Sequence, residues 1–369
     1  MGDSPRRRPM KAEDWRFKAP LGPPLRRALV AGIPVGGMIL LDLGLSAGQL
    51  AGLGVGALLG GFVAFDSPSG RTRAIWQLCV APFIAFAGAL GALSSDSAVI
   101  AVVTMSAFAS IAGLTFAVSP RAYIAGASAT LALLIAQGVT PEVSDALEVF
   151  ALAGVGTLLQ AGFSIAVSLV DRVRERIEPR AAIVTTRAAI TANLGFASVA
   201  FRHALRWGIA LGAGVAVYRV LDLGQHGYWV PLTVLFVLRP SYGETLQRIA
   251  MRGSGTVLGL LIATPVAELL GGIETLEALA IVLAAALSFA LLAIEYALFT
   301  AAITAFAVIY AHAFGQPAFE AADERAVATA IGLVICGLAF AVFRDRSPDG
   351  VPATASARSR HLPPEGSDP

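Results

Sequence analysis

The sequence predicts an all-α integral membrane protein, with about twelve transmembrane helices arranged as two parallel six-helix repeats, some helices short or broken. Three observations lead there. The chain is 56% hydrophobic and only 14% charged, with a mean hydropathy of +0.73, whereas soluble domains are about one-quarter charged. Apolar runs of helical length recur from end to end. The two halves share landmarks at a nearly constant offset.

Six runs fill the first half, at 26–44, 47–65, 74–93, 97–118, 121–137 and 146–170. Six more follow at 203–221, 228–238, 253–271, 276–293, 295–313 and 326–343. A helix rises 1.5 Å per residue, so about 20 residues cross a ~30 Å hydrocarbon core. The run 228–238 is far shorter. Pro231 near its start and Arg239-Pro240 at its end predict a helix that stops at membrane depth against protein, the form expected near a transport site.

Arg26-Arg27-Ala28-Leu29 with Gly32 and Gly36 resembles Arg202-His203-Ala204-Leu205 with Gly208 and Gly212, every pair separated by the same interval. Gly138 pairs with Gly315 and Gly156 with Gly332 at nearly the same offset. An even number of segments per repeat makes the duplication parallel. The expected organisation is a basic cytoplasmic tail over 1–25, a first repeat over 26–170 and a cytoplasmic linker over 171–201. A second repeat follows over 202–344, then a cytoplasmic tail over 345–369. The tail 1–25 is basic and proline-bearing, without the apolar core of a cleavable signal peptide.

Basic residues fix the predicted orientation. With both termini cytoplasmic, 25 of the 27 Lys and Arg fall inside, leaving Arg219 and Arg325 outside. That satisfies the positive-inside rule. The loops assigned to the outside are neutral or acidic, as at Asp96, Glu142, Glu274 and Glu324.

Glycines four apart (Gly52/Gly56/Gly60, Gly208/Gly212, Gly255/Gly259) read as faces for close helix packing in lipid. Cys79 and Cys336 lie in apolar segments and read as small core residues. The scattered histidines supply no set of convergent metal ligands. No glycine-rich loop ends in Lys-Ser/Thr, which argues against ATP hydrolysis by this chain. The sequence therefore implies no cofactor, no metal and no catalytic residue; a nucleic-acid partner is not indicated by the short run Arg6–Arg8.

The most informative stretch is 228–259. Tyr228 and Trp229 precede a short apolar run, a polar hairpin follows with Arg239, Arg248 and Arg252, and the chain returns to apolar sequence through Gly253–Thr256. Tyr242, Thr245 and Thr256 complete the candidate binding set. The arginines read either as headgroup anchors or as a guanidinium cluster for a carboxylate. Arginine suits the second role because its planar fork gives two hydrogen bonds and stays charged. Free N–H groups at the start of a helix after Arg252 would add to it. Tyr228 and Trp229 read as belt aromatics at the outer interface, or as a surface on which a substrate ring stacks. Glu295, between two runs, reads as a solvated loop acid or as a carrier of a coupling proton. Asp66 and Glu268 have similar standing, and His226 reads as interfacial with a role in pH sensing as the alternative.

These residues resemble the fusaric acid resistance-like family of bacterial inner-membrane proteins, which includes aromatic carboxylic acid exporters. The likeness runs through Gly227–Thr233, Leu238-Arg239-Pro240, Glu244-Thr245, Arg248, Arg252, Gly255-Thr256 and Gly259, with Arg325, Thr329 and Ile331-Gly332 near the end. The first repeat departs from the pattern, having Asp66-Ser67-Pro68 with Arg71 and Arg73 in place of the aromatic pair and Arg-Pro. The resemblance implies efflux of organic anions, with aromatic carboxylic acids the expected substrates, driven by the proton gradient or by the substrate's own. It also implies a periplasmic adaptor as a common partner, for which the sequence shows no docking surface. The glycine faces suit packing between two chains as well as within one, so a homodimer stays open. So do two other functions. One is a passive anion channel, since the architecture also resembles aluminium-activated malate transporters. The other is a membrane scaffold whose arginines serve topology alone.

Overall fold

The computed structural model describes residues 29–30, 32–37, 51–63, 67, 69–139, 145–170, 187–224, 226–292 and 294–342. The tails 1–25 and 345–369, most of the linker 171–201, and Asp66 and Glu142 lie outside them. Among the described residues the regular structure is helical, with no strand. After helical turns at 32–37 come α1 (Ala51–Phe62), α2 (Gly70–Leu93), α3 (Ala98–Gly113), which runs into a 3-10 turn Leu114–Ala117, α4 (Pro120–Val139) and α5 (Ala146–Val170). Then follow α6 (Val199–Val220), α7 (Trp229–Val237), α8 (Tyr242–Leu270), α9 (Glu274–Leu292), α10 (Tyr296–Ala313) and α11 (Ala318–Val342).

Local sequence sets several helix starts. Ser69, Ser97, Ser198 and Ser241 each sit in extended backbone and accept a hydrogen bond from the third residue ahead, at Thr72, Ile100, Phe201 and Glu244. Each satisfies one amide that the first helical turn leaves free. Eight described helices are long and apolar enough to cross a membrane. They bear large apolar side chains outward, with Phe83 64%, Leu169 83% and Leu261 71% exposed. Lipid is the solvent such a surface requires.

Two findings differ from the sequence expectations. The residues after Pro240 do not form a polar hairpin: α8 starts at Tyr242 and continues unbroken to Leu270. Arg248 and Arg252 are therefore helix-interior residues, and the free amides of the helix start lie back at Tyr242, turns away from Arg252. The dipole argument for Arg252 falls with that, because the effect fades within the first turn. Arg325, assigned to the outside, is a fully buried residue of α11.

The short run behaves as its prolines dictate. α7 has nine residues, with Pro231 in its first turn, where a missing amide costs nothing, and it ends at Leu238 in extended backbone. It packs against α6, α8 and α11.

Glycines bring the halves together. Gly208 and Gly212 of α6 seat on Ser110 and Ser106 of α3. Gly32 and Gly36 seat on Ala286 and Val282 of α9. Within each half, Gly156 of α5 seats on Leu53 and Ala57 of α1, and Gly332 of α11 on Val230 and Thr233 of α7. The apolar core follows the same plan and draws on both halves. One cluster joins Leu59, Ile84, Met105 and Leu133 to Trp207, Val230 and Phe340. The other places Phe62 of α1 among Phe289 and Phe299, with ring centroids 5.1 and 6.3 Å away.

Candidate functional site

The turn between α7 and α8 is pinned from three sides. The Arg239 amide donates to Thr245 Oγ1 at 2.8 Å, and the same hydroxyl donates to the Arg239 carbonyl at 3.3 Å. Ser241 caps α8. From α6, Arg206 donates to the Pro240 carbonyl at 2.9 Å, with its guanidinium 4.2 Å over the Phe340 ring. Thr245, singled out as a binding residue, thus spends its hydroxyl on the backbone of the turn.

Beside this turn opens a cavity of about 350 Å³. Arg239, Arg248, Glu244, Glu295 and Tyr296 are among its walls. Arg248 lies with its guanidinium 3.9 Å over the Tyr296 ring, and the Tyr296 hydroxyl donates to the Phe236 carbonyl at 3.4 Å. Glu295 is the half-buried N-cap of α10 and bonds no amide there, which leaves its carboxylate to the cavity. Two cations, two carboxylates and an aromatic face thus line this cavity.

Deeper between the helices the chemistry changes. Arg252 is fully buried, and Nε, Nη1 and Nη2 all lack a hydrogen-bond partner. The hydroxyls of Thr256 on α8, Thr300 and Thr304 on α10 and Thr329 on α11 are buried and unpartnered as well. Arg325, 2% exposed, carries an unpartnered Nε and lies 4.8 Å from the Trp229 ring centroid. Buried polar groups are normally satisfied. In the first half the amide nitrogens of Gln77 and Gln137 follow that norm, donating to the carbonyls of Gly60 and Ala101 at 3.1 Å each.

The other sequence-selected residues are more scattered. Trp229 is buried instead of lying in a belt; it stacks on His226 at 4.4 Å, and His226 Nδ1 is 2.8 Å from Glu324 Oε2. Tyr228 packs over Gly138. Tyr242 is 62% exposed and meets Phe340 edge-on, away from the cavity. The structure therefore gathers Arg239, Arg248 and Glu295 at the mouth, sets Arg252 and Thr256 deeper, and puts Trp229 beside Arg325. Arg325, Thr329, Thr300 and Thr304 are absent from the sequence-derived candidate set. Their signal is spacing: Arg252/Thr256 and Arg325/Thr329 repeat one Arg-x-x-x-Thr pattern, and Thr300/Thr304 keep the same helical interval.

Fold and site together define a helical membrane protein with a cationic interior in its second half. Residues 207–340 match the family described as fusaric acid resistance protein-like. The chain is 34% identical over 152 residues to the inner membrane protein YccS of Escherichia coli, an alignment covering 41% of this chain and 20% of that one. It is 35% identical over 154 residues to an uncharacterized protein of Synechocystis, covering 41% and 20%. An uncharacterized protein of Neisseria gonorrhoeae is 32% identical over 161 residues, covering 44% and 37%. The matched region thus spans between a fifth and two-fifths of these relatives. No solved structure matches the chain.

Proposed function

We propose that the protein exports organic anions, aromatic carboxylic acids in particular, through the second-half bundle from the Arg239/Arg248 mouth past Arg252. The observation that carries this reading is Arg252, whose guanidinium is wholly buried with all three nitrogens unpartnered. Removing an ion from water costs several kcal/mol unless it is paired, and arginine does not escape by losing its proton. A chain that keeps such a group in its interior needs an anion to visit it. Headgroup anchoring does not account for Arg252, because an anchor reaches water or phosphate.

The mouth lies on the cytoplasmic side in this reading, with both termini cytoplasmic and the positive residues inside. The two-repeat arrangement belongs to the same proposal. Its support is the packing, where Gly32 and Gly36 meet Ala286 and Val282, and Gly208 and Gly212 meet Ser110 and Ser106. The two contacts correspond partner for partner, Gly32 to Gly208, Gly36 to Gly212, Ser110 to Ala286 and Ser106 to Val282, at the single interval that also relates Arg26 to Arg202. Glu295, on the cavity wall with two arginines, is the acid placed to couple substrate movement to a proton.

The test is flux of benzoate and aliphatic acids in vesicles reconstituted with the full chain, with and without a proton gradient. Saturable flux that responds to the gradient and is lost in Arg252→Gln, with membrane insertion retained, is the expected result. Voltage-dependent current without such coupling would replace the carrier by a channel. Absence of any anion flux would end the proposal.

A further inference from the structure

Arg325 joins Arg252 as a buried arginine of the second-half bundle, and among the described residues neither makes an ion pair. The segments at these levels, 229–238, 245–267, 296–313 and 325–342, contain no Asp or Glu. Glu324, next to Arg325, is engaged with His226. The nearby groups that soften a cation are aromatic: Trp229 under Arg325 and Phe236 at 6.0 Å from Arg252. A ring face offsets only part of the hydration a guanidinium loses.

Helix register places these groups in one ladder. Gly253 of α8 faces Leu333 of α11. The two helices run in opposite directions, so Thr256 and Thr329 fall at one level, a turn above Arg252 and a turn below Arg325 by the helix rise. Gly255 and Gly259 seat on Thr300 and Thr304 of α10, which sets those residues at the same heights. By the helix rise, the two arginines stand about two turns apart along the bundle. At the interval that relates Arg26 to Arg202, the positions of Arg252, Thr256, Arg325 and Thr329 fall on Trp76, Val80, Val149 and Ala153 in the first half.

We infer that Arg252 and Arg325, with the hydroxyls of Thr256, Thr300, Thr304 and Thr329 at the levels between them, form a buried site for an organic anion carrying two negative charges. The inference rests on the transport reading above and narrows it. A single carboxylate satisfies one guanidinium through a bidentate pair and leaves the second unneutralised beside it. A dicarboxylate offers each arginine its own acceptor pair, and the threonine hydroxyls serve the oxygens that remain. Arg206, also buried in the second half, stands apart because it is spent on the Pro240 carbonyl.

The test compares benzoate with terephthalate, which adds one carboxylate to the same ring. Equilibrium binding of each radiolabelled acid is measured on the full chain in lipid nanodiscs. The expected result is terephthalate bound at least about tenfold more tightly, as one further charge-assisted pair would give. Arg325→Gln should bring that ratio close to one while benzoate still binds, and Arg325→Lys should keep most of it. If Arg325→Gln does not fold, as judged by its gel-filtration profile, the Thr256→Val/Thr329→Val double variant takes its place and should lower the ratio several-fold. Equal affinities for the two acids in the unaltered protein would overturn the inference and leave anion transport standing. Binding of neither acid, together with no flux, would bring down both.

Discussion

The guanidinium of Arg325 sits over the indole of Trp229, 4.8 Å from Cζ to the ring centroid. The pair links α11 to the short helix α7, and His226 stacks on the same indole at 4.4 Å. Trp229, itself buried, thereby fixes the position of a buried cation.

Trp229→Leu should therefore change selectivity as well as activity. A desolvated cation–π contact contributes about 2 kcal/mol, and leucine keeps the bulk without the ring. The ratio of benzoate to aliphatic-acid flux is expected to fall about tenfold, equivalent to about 1.4 kcal/mol. Parallel uptake assays on one vesicle preparation measure it. An equal loss for both acids would assign Trp229 to packing alone.

Arg248 and Arg252 are neighbours on one helix face, yet they should respond differently to salt. Arg248 is half-buried on the cavity wall, whereas Arg252 is sealed inside. The Debye length drops from about 10 Å at 0.1 M to about 3 Å at 1 M, which screens exposed charges and spares buried ones. Arg248→Gln is expected to raise the apparent KM several-fold at low salt, with the difference disappearing near 1 M. Arg252→Gln should remove flux at every ionic strength. A salt-dependent loss at Arg252 would mean that water reaches it.

Thr245 tests whether the turn before α8 is structural. Its hydroxyl serves both the amide and the carbonyl of Arg239. Thr245→Val leaves those groups unsatisfied, at about 1–3 kcal/mol, so amide exchange at Arg239 should accelerate about 10- to 100-fold. Thr245→Ser should restore protection. Unchanged exchange in the valine variant would show that Ser241 and Arg206 hold the turn without it.

How far the molecule can be read from sequence follows from what each signal measures. Composition and run length report transfer from water to lipid, so the all-helical membrane class is visible, and the Pro and Arg-Pro ends of α7 mark a helix of nine residues. Lateral burial leaves no such trace. Trp229 looks the same in a belt or a core, and only the helices around α7 decide. Arg325 counts as an outer residue in sequence because the positive-inside rule treats arginines as anchors, whereas the surrounding helices enclose this one. The start of α8 escapes notice because Tyr242–Met251 is polar enough to look like a loop, although Ser241 followed three residues later by Glu244 is a serviceable helix start.

The contacts between the halves give the last prediction. A Cβ on Gly208 would lie 2.5 Å from the Ser106 carbonyl oxygen, and one on Gly32 would lie 2.8 Å from Ala286 Cα. Both obstacles are backbone atoms, so a rotamer change cannot relieve them and the helices must separate. Overpacking of this kind costs about 1–3 kcal/mol. Gly32→Ala and Gly208→Ala should each lower the thermal unfolding midpoint of the full chain in detergent. Because the two contacts are far apart in the sequence and use different helix pairs, their effects should add. Gly162→Ala, with nothing within 4 Å of the added carbon, should leave the midpoint in place. If Gly208→Ala also leaves it in place, α6 and α3 are not in the close contact on which the joining of the halves depends.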